Sequence, residues 1–120
     1  LPIFMKNRGR VPLLILRPSI IICSYEEPYK GWTDSMAASG PLTMMIAAGI
    51  TKYLVGNNFN RADLIPVDMV ANAIIVSTAF QAHKDSLAIV HSSSSHANPL
   101  TWKNYGDYFL DYAKTSPFEF

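Results

Sequence analysis

The sequence predicts an α/β fold in which parallel strands alternate with helices. Two segments, residues 11–16 and 87–90, consist almost entirely of aliphatic residues, a pattern typical of strands covered on both faces. Between them, the apolar residues of segment 67–82 recur at helical spacing around most of the circumference. A strand, a helix and a second strand of this kind predict two neighbouring parallel strands joined by a helical crossover.

Composition places the chain among soluble globular domains or parts of one. Its 120 residues are 49% hydrophobic and 16% charged. The formal net charge is +1 and the basic residues are scattered, so neither DNA nor RNA is expected as a partner. The single cysteine, Cys23, cannot form an internal disulfide and follows an apolar run, which predicts a buried thiol in a reducing compartment.

No membrane span or signal peptide is predicted from these residues. The longest weakly polar window, 36–50, is shorter than the ~20 apolar residues of a spanning helix. Near the start, an apolar run is broken by Arg17 and Pro18, which fits a signal peptide poorly. Because the first residue is Leu1 and not methionine, we interpret the start as a cut inside a longer protein.

The first half of the chain predicts a helix end, a strand, a long loop and a second helix. The helix covers residues 1–6 and is stopped by Gly9. After strand 11–16, residues 20–23 either extend the strand or begin the next loop. Residues 24–40 lack a clear period, which predicts a long irregular connection of the kind that carries function. A helix then opens at Pro41 and ends before Gly49.

The second half predicts a short extended piece, the central helix, a strand and a final helix. A polar turn at 57–60 precedes the extended piece at 62–65, and helix 67–82, apolar on most sides, is expected to be nearly buried. A polar loop at 92–97 follows strand 87–90. Either Asn98 or Thr101 caps the last helix, whose predicted inner stripe is Trp102, Tyr105, Phe109 and Tyr112.

These elements do not make a complete sheet. Two strands that are apolar on both faces, with one short extended piece, leave faces and edges uncovered. The sequence therefore predicts an incomplete parallel sheet that takes further strands from elsewhere.

Several chemistries are not predicted. The six glycines fit neither a dinucleotide-binding loop nor a Walker loop. The three histidines, at positions 83, 91 and 96, are not at ligand spacing with cysteine or acidic residues, so no metal site is predicted. The serine run at 92–95 is interpreted as a solvated loop, because nothing frames it as a nucleophile elbow.

The end of the first strand is the best candidate for a ligand contact. Arg17, Pro18 and Ser19 lie where ligands of parallel sheets bind, beyond the carboxyl ends of strands. The alternative is that Pro18 only ends the strand and Arg17 pairs with a carboxylate.

Residues 11–21 (VPLLILRPSII) resemble the strand and R-P-S-I stretch of fatty acyl-CoA reductases, which are extended short-chain dehydrogenases/reductases. Three more stretches follow in the family order, with similar spacing: EPYKGWTD at 27–34, ADLIPVD at 62–68 and NPLTW at 98–102. The similarity covers roughly residues 11–115. It implies that residues 1–120 are the carboxyl-terminal part of a Rossmann-like NAD(P)-binding reductase domain, with substrate-side loops at 24–60.

The resemblance also implies roles for particular residues. Pro18, Ser19, Ile20 and Ile21 would line the nicotinamide side of NADPH, more through backbone than through side-chain contacts. Gly31, Trp32 and Asp34 would lie in the loop that shapes the acyl-CoA site, although Trp32 could equally be a loop anchor. Asp63 and Asp68 match positions at the short strand and helix start, and we interpret Asp68 as a structural residue that favours the positive helix end.

The proton-transfer machinery of the family is missing from these residues. Reduction of an acyl thioester by NADPH needs a tyrosine with a lysine four residues later, in the order Y-x-x-x-K. None of the six tyrosines has such a lysine. In the family that pair precedes the R-P-S-I strand by about two dozen residues, so no catalytic residue is predicted within this chain.

Two main interpretations remain open. The chain is either an incomplete sequence of an active reductase, which acts on fatty acyl-CoA, or a short accessory or structural subunit derived from one. A module that only binds acyl chains is a third option. The family also implies an intracellular location at the peroxisomal or endoplasmic-reticulum membrane surface, with membrane association through a segment outside these residues. The remaining partner would be the amino-terminal part of the domain or another subunit.

Overall fold

The computed structural model describes residues 2–37 and 39–116, and it has the mixed α/β architecture expected of a partial Rossmann-like domain. The elements in chain order are α1 (Pro2–Asn7), β1 (Leu13–Pro18), β2 (Ile20–Ile22), α2 (Ser39–Ala47), β3 (Leu64–Pro66), α3 (Val67–Gln81), β4 (Leu87–Ser92) and α4 (Trp102–Thr115).

The two aliphatic strands form the predicted parallel pair. β1 and β4 run side by side from the pair Leu13 and Leu87 to the pair Pro18 and Ser92. α3 lies in the connection between them, so the predicted neighbours and the helix of their crossover are confirmed. β1 begins and ends two residues later than predicted, and β4 extends two residues beyond its predicted end.

A second parallel pair follows directly from the first. Ser19 separates β1 from β2, and its amide donates to the Ser92 carbonyl at 2.9 Å, at the end of the β1 and β4 pair. The next amide, that of Ile20, donates to the Asp63 carbonyl at 3.1 Å and begins the pairing of β2 with β3. Residues 20–22 thus continue the strand direction but change partner, a result that neither predicted alternative contained.

The buried apolar core among the described residues is small and lies around β3 and the first turns of α3. It consists of Ala62, Leu64, Ile65 and Val70, each 6% exposed or less. β3 passes into α3 without a loop, since Pro66 is both the last strand residue and the cap of the helix. The fixed φ of proline suits both positions, which explains the abrupt change from strand to helix.

The prediction that the central helix is nearly buried is wrong for the described chain. One side of α3 contacts the strands, but Ile75 is 67% and Phe80 is 70% exposed. The reason is that no described element covers the outer side of the helix. The Cα radius of gyration, 18.1 Å, exceeds the roughly 14 Å expected for a compact chain of this length. The apolar faces are therefore left open, as the predicted incomplete sheet requires.

The last helix begins at the predicted cap but buries less than the predicted stripe. The hydroxyl of Thr101 accepts from the Asn104 amide at 3.2 Å, which selects Thr101 over Asn98. Tyr105 and Phe109 are half-buried, and the Tyr105 hydroxyl is 3.1 Å from the hydroxyl of Thr43 on α2. The two ends of the stripe, Trp102 and Tyr112, are exposed, at 38% and 61%.

Two smaller predictions of the first half can be compared with the structure. The first helix ends before Gly9, which has a φ of +57°, whereas its predicted first residue, Leu1, lies outside the described residues. α2 begins at Ser39, so Pro41 is its third residue and not its first. Proline is tolerated there because the amides of a first turn have no partner inside the helix.

Cys23 is exposed, which contradicts the predicted buried thiol. It lies one residue beyond β2, where the chain has already left the sheet. No helix within residues 2–37 and 39–116 combines the length and apolarity needed to cross a bilayer.

Candidate functional site

The carboxyl ends of β2 and β3 bring a long loop and a helix start together. Ile22 and Pro66, the last residues of the two strands, are paired in parallel register. β2 leads into the irregular segment that begins at Ser24, while β3 leads directly into α3. Residues that follow the two strands by similar distances are therefore neighbours, although about 40 positions separate them in the sequence.

Ser24 and Trp32 hold the two ends of the loop segment 24–32 together by hydrogen bonds. Ser24 is buried, its amide donates to the Trp32 carbonyl at 2.9 Å, and its hydroxyl accepts from the Trp32 amide at 3.1 Å. The Gly31 amide donates to the Ser24 carbonyl at 3.0 Å, and Gly31 has a φ of +81°. Because L side chains rarely adopt that conformation, the observed role of Gly31 is to let the chain turn back.

Asp68 fixes the tip of the loop to the first turn of α3. Its carboxylate accepts from three successive amides, those of Tyr25 at 3.0 Å, Glu26 at 2.9 Å and Glu27 at 3.2 Å. It also accepts from the amide of Met69. The sequence interpretation of Asp68 as a structural residue at the helix start omitted its main contacts, which lie 41 to 43 residues away.

These amides lower the pKa of the Asp68 carboxyl to about 2, from 3.8. The Tyr25 amide has the largest effect, and together with the amides of Glu26, Glu27 and Met69 it outweighs partial burial, which alone would raise the pKa. Hydrogen bonds to the charged form of a carboxyl favour ionisation. Asp68 is therefore ionised at neutral pH while the loop keeps this conformation.

We expect acid to release this loop. Because the folded pKa of Asp68 is depressed, its stabilising effect is fully present above pH 3.8 and is lost as the pH falls through about 2. The protection of the Tyr25, Glu26 and Glu27 amides from hydrogen exchange, relative to an unfolded chain at the same pH, should fall over that interval. Asp68→Asn should already show low protection of these amides at neutral pH, with little further loss at low pH. Equal acid sensitivity in this variant would contradict the assignment.

An open cleft of about 590 Å³ lies between the loop and α3. Its walls are Glu27, Pro28, Trp32, Val67, Asp68, Ala71, Asn72 and Ile75. Of the three residues predicted to shape a substrate site, Trp32 lies in the wall, whereas Gly31 and Asp34 are exposed residues outside it. The structure thus joins Trp32 to a helix face on which no site residue was predicted.

The helix residues of this cleft are marked in the sequence by their spacing from Asp68. Ala71, Asn72 and Ile75 follow Asp68 at spacings of three, four and seven residues, so they share one face of α3. An anchoring carboxylate at the helix start indicates which face the loop covers.

The residues predicted for the cofactor lie at the junction of the two strand pairs. Pro18 ends β1, Ser19 is the linking residue, and Ile20 and Ile21 begin β2. The amides of Ser19 and Ile20 already donate to protein carbonyls. Two of the backbone groups predicted to contact a cofactor are therefore already paired within the protein, while the side chains of Ile20 and Ile21 are 41% and 37% exposed.

The hydroxyl of Ser19 is the polar atom that stands out at this junction. It is buried and forms no hydrogen bond with any of the described residues. Buried hydroxyls are usually paired, so an unpaired one at a strand end is a place where a bound group could complete the pairing.

Asp63 lies beside the same junction. The Ser93 hydroxyl donates to both of its carboxylate oxygens, at 2.9 and 3.0 Å. Partial burial would raise the pKa of Asp63, but the hydroxyls of Ser93 and Ser95 and the Ser95 amide lower it overall. Ser19 also lowers the pKa of Asp63, by a smaller amount, although the Ser19 hydroxyl forms no hydrogen bond in the structure.

Two kinds of reactive group bear on the chemistry of these residues, a Y-x-x-x-K pair and a cluster of metal ligands. None of the six tyrosines is followed by lysine at the fourth position. Within the part of the chain that the structure describes, no three His, Cys, Asp or Glu side chains are grouped so that they could hold a metal ion.

One known protein family matches more than half of the chain. An NAD-binding family described as "Male sterility protein" matches residues 3–74. The matched span includes the strand junction, the loop with Trp32 and the first half of α3.

Several curated proteins are similar over nearly the whole chain. Probable fatty acyl-CoA reductase 4 of Arabidopsis thaliana is 32% identical over 111 residues, which cover 92% of this chain and 22% of that protein. Fatty acyl-CoA reductase 1 of Rattus norvegicus is 30% identical over 119 residues, 96% of the chain and 23% of the relative. Fatty acyl-CoA reductase 2 of Mus musculus is 32% identical over 120 residues, which cover 98% of this chain and 23% of that protein. The chain therefore spans about a quarter of the length of these relatives.

Proposed function

This chain belongs to the NAD-binding family described as male sterility protein, and we propose that it is part of a fatty acyl-CoA reductase. The proposed reaction converts an acyl-CoA thioester into a fatty aldehyde or alcohol with NADPH. The observation that carries the proposal is that three of the four family-like stretches meet at the strand junction and the cleft. The fourth, at 98–102, accepts a hydrogen bond from Ala62 of the third stretch through the Leu100 carbonyl. The junction and the cleft both lie at strand ends, where ligands of parallel sheets bind.

The strand junction suits the nicotinamide half of the cofactor. Pro18 offers no amide hydrogen, and Ile20 and Ile21 present partly exposed apolar surface against which a flat ring can pack. The unpaired Ser19 hydroxyl supplies a polar group for the carboxamide. When bound, NADPH provides the hydride, whereas these four residues orient the ring.

The cleft suits the acyl chain better than the phosphates of CoA. Pro28, Trp32, Val67 and Ile75 supply apolar wall, which favours a hydrocarbon. Asp68 is ionised at neutral pH, and its negative charge in the same wall opposes an approaching phosphate. We therefore propose that the phosphates of CoA bind outside this cleft.

Proton transfer and phosphate binding are proposed to come from outside the 120 residues. A transcript that places a Y-x-x-x-K pair and a glycine-rich loop upstream of Leu1 would support the reductase. A start codon immediately before Leu1 would support the accessory-subunit alternative, in which the cleft is inherited without catalysis. The activity test is acyl-CoA-dependent oxidation of NADPH by the purified full-length protein, and no oxidation across acyl-chain lengths would refute the proposal.

Replacing Pro18 by alanine in that protein is expected to lower kcat/KM for NADPH about fivefold to thirtyfold, which corresponds to ~1–2 kcal/mol of lost positioning. Alanine frees φ and adds an amide hydrogen where the ring packs. Pro12→Ala is the matched control, because Pro12 is exposed and precedes β1. If Pro18→Ala lowers only the melting temperature and leaves kcat/KM unchanged, Pro18 is a strand terminator.

A further inference from the structure

We propose that Asp63 and Asp68 are two separate positioning residues, one at each end of β3. Asp63 fixes the strand junction that contacts the cofactor, and Asp68 fixes the loop that forms the acyl cleft. This inference rests on the proposed reductase function and assigns each carboxylate to one of its two ligands.

Asp68 acts on the cleft through the loop backbone. The three amides that it accepts belong to Tyr25, Glu26 and Glu27, and Glu27 is itself part of the cleft wall. Two carboxylate oxygens share these donors, with Glu26 and Glu27 on the same oxygen. No neutral side chain of the same size offers two acceptor oxygens, so the loop position depends on a carboxylate.

Asp63 acts on the junction from two sides. Its backbone carbonyl accepts from the Ile20 amide, which begins the pairing of β2 with β3. Its side chain holds Ser93 just after β4, next to Ser92, whose carbonyl accepts from the Ser19 amide. The Ile20 amide is therefore held by the backbone of Asp63. The Ser19 amide is held by Ser92, whose neighbour Ser93 is bound by the Asp63 side chain.

We call the contacts of Asp63 and those of Asp68 the two clamps. β3 lies between them and fixes their separation. β3 has three residues, a span of roughly 10 Å at the usual rise of a strand. Leu64 and Ile65 are buried, which ties this span to the core. Because the clamps share no hydrogen-bond partner, loss of one should leave the other intact.

The test is a pair of substitutions in the full-length protein, Asp68→Asn and Asp63→Ala. Asp68→Asn should raise KM for acyl-CoA about tenfold and leave KM for NADPH unchanged, since the asparagine turns an NH₂ group toward amides that can only donate. Asp63→Ala should show the opposite pattern because it removes both acceptor oxygens of Ser93, whereas an asparagine would keep this contact by donating to the hydroxyl. The control is Asp107→Asn, an exposed carboxylate paired with Lys103 on α4, which should change neither value. A general loss of structure would move both KM values and the melting temperature together, and that result would overturn the proposal.

Amide hydrogen exchange of the same variants makes the clamp test independent of activity. Asp68→Asn should accelerate exchange at residues 25–27 while Ser19 and Ile20 stay protected. Asp63→Ala should accelerate exchange at Ser19, whose acceptor Ser92 precedes Ser93, while residues 25–27 stay protected. If the wild-type protein oxidises no NADPH with acyl-CoA, the reductase assignment fails, yet selective deprotection would still support two separate clamps. Unchanged or uniform exchange in both variants would overturn them whatever the activity.

Discussion

Replacing Ile65 by alanine is expected to lower the free energy of unfolding by about 2–5 kcal/mol, the usual cost of truncating a buried aliphatic side chain. Ile65 is 6% exposed and is paired with Ile21 in the register of β2 and β3. The described apolar core is small, so few neighbours can move to fill the space that the lost side chain leaves. The measurement is urea denaturation followed by circular dichroism.

Ile50→Ala is the matched control for this core substitution. Ile50 is 71% exposed, just beyond α2, so its loss should change the free energy of unfolding by less than about 0.5 kcal/mol. Equal losses from the two substitutions would mean that Ile65 is not at the centre of the core. The unfolding slope with urea should stay the same in both variants, because neither changes the surface exposed on unfolding by much.

The main strand pair could be predicted from sequence because its signal is local. Aliphatic runs at residues 13–16 and 87–90 indicate strands without reference to any partner, and a helix between them requires a crossover. The change of partner at Ser19 had no local signal. It depends on two amides that meet carbonyls of Asp63 and Ser92, which are distant in sequence.

The burial of α3 and the cleft show a second limit of sequence patterns. An apolar helix face indicates surface that avoids water, but it does not say which element covers it. Phe80 is therefore exposed here, against expectation. Trp32 was identified through resemblance, whereas the contact of Asp68 with residues 25–27 follows from strand register and could not be derived from spacing along the chain.

The isolated 120-residue chain is expected to bind NADPH with a Kd in the millimolar range or weaker. Dinucleotides are held mainly by a glycine-rich loop at a helix N-terminus, which contacts the pyrophosphate. The glycines at positions 9, 31, 40, 49, 56 and 106 provide no such loop. Relative to micromolar binding, the loss is about a thousandfold, or ~4 kcal/mol.

The reduced nicotinamide mononucleotide, which lacks the pyrophosphate and adenosine, is the probe that locates the remaining contacts. If Pro18, Ser19, Ile20 and Ile21 contact only the nicotinamide half, the isolated chain should bind this mononucleotide and NADPH with similar weak affinity, measured by titration calorimetry on chain shown to be folded by circular dichroism. A full-length protein with the glycine-rich loop should instead prefer NADPH by orders of magnitude. Micromolar binding of NADPH by the isolated chain, far tighter than that of the mononucleotide, would require phosphate contacts among these residues, and the nicotinamide assignment of the strand junction would then be wrong.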